Sequence, residues 1–148
     1  DFVYGDFTIV PRFKSTEGEY VNNAGKEDLL KVGMILGPFF MFRKSILEKI
    51  KVFDEQLVQG NDYDFALRLA FNSKGLYIPH NSGYFLNEGL GQSTKPDTKQ
   101  ELERTAIELR YGVRILDQSL VNLAKDSYDI ENIIIDDKKI PVINLIGE

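Results

Sequence analysis

Apolar residues recur along this chain in short blocks divided by polar turns, and two periods alternate. Phe2 to Val10 is rich in aromatic and β-branched residues and closes at Pro11, which predicts a strand with Gly5-Asp6 as a bulge or close approach. Lys14 to Lys26 is polar, with Gly18, Asn22, Asn23 and Gly25, and predicts a surface loop. Glu27 to Val32 fits a short helix. Leu36 to Arg43 turns at Gly37-Pro38 and then runs apolar, as a buried strand would. Ile46, Leu47 and Ile50 fall at helical spacing between Lys44 and Ile50.

The helical period returns at Phe65, Ala66, Leu69 and Ala70, so a helix is expected from Tyr63 to Asn72. Asn61 or Asp62 fits as its N-cap, and Lys74-Gly75 as its stop. Gly75 to Pro79 and Ser82 to Leu86 read as two short strands, and Asn87 to Asp97 as a Gly/Ser/Thr/Pro loop. Lys99 to Lys125 gives the clearest pattern. Leu102, Ala106, Leu109, Val113, Leu116, Leu120 and Leu123 make one continuous stripe, with Gly112 inside it at a cost of about 1 kcal/mol relative to Ala. That stripe packs on the domain or forms a homodimer seam. Ile130 to Ile135 and Ile140 to Ile146, joined by Asp136 to Lys139, predict a hairpin. The fold class is therefore α/β, with a mixed sheet, a long C-terminal helix and then a hairpin. The chain divides into a main unit, 1–125, and a terminal hairpin or start of a following segment, 126–148.

Composition narrows the function. A chain of 148 residues with 43% hydrophobic and 28% charged residues can bury a core. A formal net charge of −5 disfavours nonspecific nucleic-acid binding, which draws on a basic surplus. No apolar run approaches the ~20 residues that span a bilayer. The absence of cysteine excludes thiolate chemistry and fits a reducing compartment, and the single histidine, His80, excludes a multi-histidine metal site. His80, following Pro79, is expected at a surface turn. A cytoplasmic location is expected. The opening Asp1 to Asp6 has no leader-like segment and starts within an apparent strand, which suggests a piece of a longer chain.

The densest candidate chemistry lies in Gly60-Asn61-Asp62-Tyr63-Asp64-Phe65-Ala66-Leu67-Arg68-Leu69. Acids in a first helical turn complement the helix dipole by ~0.3–1 kcal/mol each, and Asp64 can pair with Arg68 at i,i+4 for a few tenths more. The functional reading needs one carboxylate held at a cleft as a base while its neighbour points elsewhere. A period of 3.6 sends residues i and i+2 to different sides of a helix, which suits divided roles better than a shared metal.

In order and spacing, these segments resemble the C-terminal, acceptor-side half of a family-2 glycosyltransferase catalytic domain of the GT-A fold (nucleotide-diphospho-sugar transferases). The matching pieces are Gly37 to Arg43, Phe53-Asp54-Glu55 and Asn61 to Leu69, then Gly75 to Pro79, Tyr84-Phe85 and Gly91-Gln92-Ser93. Val3 to Asp6 and the segment with Glu101 and Tyr111 complete the match. It covers roughly Phe2 to Lys125. Asn61 replaces the family's usual Glu, and the nucleotide-binding half with its Asp-x-Asp motif is missing from this sequence.

The resemblance implies a sugar transfer with inversion from a nucleotide sugar to a carbohydrate or glycolipid acceptor. Asp62 would be the general base; Gly37, Pro38, Asn61, Asp64 and Arg68 would serve substrate binding. A divalent cation, Mg or Mn, is implied for the intact enzyme, with its main ligands outside this chain; Asn87 lies near where some relatives place a further ligand. The fragment alone is expected to be inactive. The alternatives are a non-catalytic carbohydrate-binding or assembly module and a dimerising structural domain.

Overall fold

β1 (Phe2–Val10) is the strand on which the sheet is built, in a computed structural model that describes residues 1–26, 36–89 and 98–147. β4 (Gly75–Leu86) runs parallel along one edge of it, from Phe2↔Gly75 to Val10↔Leu86. The opposite edge is shared by two short antiparallel strands. β3 (Phe40–Phe42) pairs with Phe2 to Tyr4, and β2 (Glu19–Val21) with Phe7 to Ile9. Parallel and antiparallel pairs together make the sheet mixed, as expected for the α/β class.

Alternation along β1 sets the two faces of the sheet. Phe2 and Tyr4 point inward with Phe40, Phe42 and Tyr77, and meet α2 (Asn61–Asn72) in a core that includes Leu36, Ile50, Phe65, Ala66, Leu69 and Ile107. Seven consecutive α2 residues, Tyr63 to Leu69, are buried, so the middle of this helix is enclosed on all sides. Phe7 points to the outer face and packs its ring against Phe39 and Phe85. A short 3-10 turn (Lys44–Ile46) and α1 (Leu47–Ile50) link β3 to the chain before α2.

The segment expected as one long helix is two. α3 (Thr98–Tyr111) ends at Gly112, whose φ of +63° is left-handed. Gly112 N–H donates to Leu109 O (3.3 Å) and Val113 N–H to Glu108 O (3.1 Å), the double closure of a Schellman stop. Asp117 then accepts from Ser119 N–H and Oγ to start a 3-10 turn, and α4 (Val121–Ser127) follows. The continuous stripe, and the dimer seam built on it, therefore does not exist as one helical face. The buried side of α3 instead carries Glu103, Thr105, Ala106, Ile107, Glu108, Arg110 and Tyr111, while Leu102 and Leu109 are only half-buried.

Other expectations shift locally. The two short strands at 75–79 and 82–86 are a single strand, because β4 absorbs Pro79 and His80 in a bulge between Ile78 and Asn81. A Cβ on Gly5 would stand 2.3 Å from Ser82 Oγ, so the glycine is what lets the bulge close over β1. β3 is three residues long and half-exposed rather than a fully buried strand. Within the expected surface loop 14–26, β2 forms. α2 begins at Asn61, two residues before the expected Tyr63, with Gly60 as N-cap in place of Asn61 or Asp62. The short helix expected at 27–32 and most of the 87–97 loop lie outside the described residues.

The hairpin forms as β5 (Asn132–Ile135) and β6 (Lys138–Pro141), turning on Asp136 and Asp137, both at positive φ. It ends in a 3-10 turn at Val142–Asn144 instead of extending to Ile146. Ile133, Val142 and Leu145 enter the same core as α2. Among the described residues no helix is long and apolar enough to cross a membrane.

Candidate functional site

The approach to α2 is fixed by an acid from another helix. The N–H groups of Val58, Gln59 and Gly60 converge on the buried Glu103 carboxylate, at 2.7 Å for both Gln59 and Gly60 and 3.1 Å for Val58. Free backbone N–H groups near a helix start attract negative charge, and Glu103 supplies it from within the fold. A Cβ at Gly60 would meet Ile107 Cδ1 at 2.7 Å, so the end of the Ile107 side chain would have to move.

The two acids of the first turn part ways immediately. Asp64 is fully buried. Its Oδ2 accepts from Arg68 Nε (3.1 Å) and Nη2 (2.7 Å), and its Oδ1 from Arg110 Nη1 (2.9 Å) and the Tyr111 hydroxyl (2.6 Å). Arg110 also holds Asp54 at 2.8 Å and donates to the backbone oxygens of Asp129 and Asn132. Arg68 donates to Ile50 O and Val52 O. Two carboxylates and two guanidiniums thus balance in the interior, the arrangement a buried charge requires. Burial alone would lower Arg110, but the Asp64 and Asp54 charges hold it above its usual value. Burial, then the Asp64 charge, drives the Tyr111 hydroxyl far above the normal tyrosine range.

Asp62, by contrast, is exposed. Its Oδ1 accepts the neighbouring Tyr63 N–H at 2.8 Å, and the carboxylate otherwise faces water. Asn61 beside it is half-buried. The result is a free carboxylate on the first turn of a helix whose other first-turn acid, Asp64, is clamped by Arg68, Arg110 and Tyr111. Chemically, that group can accept a proton from a solvent-side hydroxyl, or simply complement the helix end.

The remaining sequence-predicted residues do not gather around it. Gly37 (φ +71°) lies against the Phe7 ring, where a Cβ would meet Cε1 at 2.3 Å. Pro38 lines an open cleft of about 350 Å³ with Val3, Phe39, Met41, Ile78 and His80. No α2 residue borders that cleft. His80 is exposed in the β4 bulge, in keeping with a surface position, and Asn87 caps the local turn at Gly89. Among the described residues no group of three or more His, Cys, Asp or Glu is placed to hold a metal ion. The Asp54–Asp64 pair does not fit one either, because arginines fill its approach.

Sequence reasoning passed over Arg110 and Glu103, which do as much as Arg68 to build this mount. Asp54 and Tyr111 stood in the quoted segments, but nothing in their spacing joined them to Asp64. Tyr63 packs beside Glu108; burial, then the Glu108 charge, pushes its hydroxyl up to about 12. Glu108 itself is raised by burial and accepts Leu116 N–H, which anchors the turn after α3.

No protein-family model, no curated protein and no solved structure matches this chain.

Proposed function

We propose that the chain is the acceptor-side part of a GT-A-like, inverting family-2-type glycosyltransferase, with Asp62 as its general base. The observation that supports this most is the division between the two acids: Asp64 is consumed by Arg68, Arg110 and Tyr111, while Asp62 is left free on the same rigid turn. A base has to stay accessible to the acceptor and be held still, and a helix start tied down by Asp64 and Glu103 meets both needs.

In this reading Asp62 takes the proton from an acceptor hydroxyl while that oxygen bonds to the anomeric carbon of a nucleotide sugar. The bond from that carbon to the diphosphate oxygen breaks on the opposite face, so configuration inverts. A divalent cation, were the intact protein to hold one, would supply Lewis acidity to the departing diphosphate; among the described residues no cluster is placed to hold it. Asp64 and Arg68 act as positioning residues. Pro38 would contribute only from the outer cleft, and Gly37 lies against the Phe7 ring.

The test is Asp62→Asn in the intact protein, assayed for transfer from radiolabelled nucleotide sugars. Loss of ~10²–10⁴-fold in turnover with an unchanged circular-dichroism spectrum is expected. Turnover within about threefold of the parent would end the assignment.

A further inference from the structure

β4 is paired with β1 along one of its edges. Among the described residues no strand covers the other edge, so a row of backbone N–H and C=O groups faces outward there. Natural sheets protect such edges with charged side chains, because an open edge pairs with any strand of matching pattern. This edge lacks that protection. From Gly75 to Asn87 there is no Asp, Glu, Lys or Arg, although charged residues make up 28% of the chain. Several of its side chains are apolar and wet: Leu76 is 63% exposed, Ile78 43%, Tyr84 50% and Phe85 37%.

The bulge at Pro79 and His80 divides β4 into two flat blocks and reverses the alternation between them. Before it, Leu76 and Ile78 lie on the outer face, beside Val3 and Gly5, while Gly75 and Tyr77 face inward. After it, Gly83 and Phe85 take the outer face, against the Phe39 and Phe7 rings. Tyr84 and Leu86, beside Thr8 and Val10, face inward. Two copies of one strand paired antiparallel about a two-fold axis keep each face on its own side, so residues opposite each other must share a face. A register centred on the bulge satisfies this at every position. It sets Gly75 opposite Leu86, Leu76 opposite Phe85, Tyr77 opposite Tyr84 and Ile78 opposite Gly83. Pro79, which has no N–H to give, falls in the gap at the axis with His80, Asn81 and Ser82.

We infer that the open edge of β4 is the seam of a homodimer, in which two copies pair antiparallel and join their sheets into one. Charge selects a second copy as the occupant. A net charge of −5 opposes self-association over most of the surface, but not along a seam that carries no charge. The ends of the strand have opposite signs, Lys74 just before it and Glu88 just after Asn87. Antiparallel pairing brings Lys74 of one copy to the Asn87-Glu88 end of the other, twice over; parallel pairing would set like beside like. The strand therefore matches its own copy in face, in apolar pairs such as Leu76 with Phe85, and in charge. The seam uses no residue of α2 and stands whether or not Asp62 is a base.

The test is sedimentation equilibrium on the 148-residue chain, with amide hydrogen exchange at the same concentrations. A monomer–dimer equilibrium in the micromolar range is expected, with dimerisation slowing exchange within 75–78 and 83–86 and not at 80–82. Leu76→Lys, at an exposed position, should weaken the dimer at least about tenfold and leave the circular-dichroism spectrum unchanged. Lys74→Glu sets acid beside acid at both ends and should weaken it several-fold. Adding Glu88→Lys should then restore association relative to either single change; the Glu88→Lys single variant also loses the bond from Phe13 N–H, and serves as the reference for that loss. The inference is overturned by a chain that stays monomeric up to about 200 μM, by folded Leu76→Lys that dimerises like the parent, or by a double charge reversal that restores nothing. A dimer whose protection falls on α3 or on the outer face around Met41, and not on β4, also overturns it.

Discussion

Asp64→Asn and Asp62→Asn make the same chemical change two residues apart, and the structure expects them to differ by several kcal/mol. Asp64 receives four donors, two on each oxygen, from Arg68, Arg110 and Tyr111. An asparagine can offer one oxygen. Whichever way its amide turns, the NH2 group meets two N–H or O–H donors, and the interior is left with two guanidiniums against Asp54 alone. Breaking a buried ion pair from one side costs about 3–5 kcal/mol, a large share of the 5–15 kcal/mol that holds a typical domain together. An i,i+4 pair on a water-exposed helix would cost only about 0.3–0.5 kcal/mol, so the measurement separates a surface pair from a core network. Asp62→Asn should stay within about 0.5 kcal/mol. Urea unfolding followed by far-ultraviolet circular dichroism is sufficient. With m near 2 kcal/mol/M, a loss of about 4 kcal/mol moves the midpoint by about 2 M. A shift for Asp64→Asn below about 0.5 M, or equal shifts for the two variants, would refute the account of this cluster.

Two further outcomes follow from the same packing. Gly112→Ala should destabilise by about 1–2 kcal/mol, because φ is +63° there while a Cβ would have no atom within 4 Å. A glycine inside one long helix would give the opposite sign, about 1 kcal/mol of stabilisation, and urea midpoints decide between them. The hydrogen bond from Lys139 holds Asp129 down at about 2, from an ordinary value of 3.8. A depressed carboxyl stabilises the fold above the unfolded value and loses that contribution as pH falls toward the folded one. Asp129→Asn should therefore flatten the stability profile between about pH 4 and pH 2 and cost about 1 kcal/mol at neutral pH; an unchanged acid limb would contradict the Lys139 pairing.

The sequence carried the fold at places where local chemistry acts alone. Val and aromatic alternation marked β1, turn residues marked the hairpin, and apolar spacing marked α2. It misled where one residue had two compatible explanations. Gly112 is tolerable in a long helix and ideal after the end of a short one, and the leucine spacing on either side looks identical in both cases. Pro79 similarly breaks a strand or sits in a bulge, and only the pairing with β1 selects the bulge. Buried polar residues on α3 were the least legible. Glu103, Glu108 and Arg110 read as the wet side of an amphipathic helix, because their partners at 58–60, 116, 54 and 64 are distant in sequence.

The same long-range chemistry explains why the two acids of α2 could be separated in kind but not in order from sequence. Helical period alone says that residues 62 and 64 face different ways. It does not say which one looks inward, since both are aspartates in a first turn. Arg110 and Tyr111 settle that: they lie on adjacent positions of α3 and both reach Asp64 Oδ1, which needs α3 to pass over the inner side of α2. Once Asp64 is claimed, Asp62 has no inward route, because the helix is already buried from Tyr63 to Leu69. Its exposure is thus a consequence of the core and not an accident of the surface. The proposed base and the ionic network stand or fall separately in function, but in structure the second creates the first.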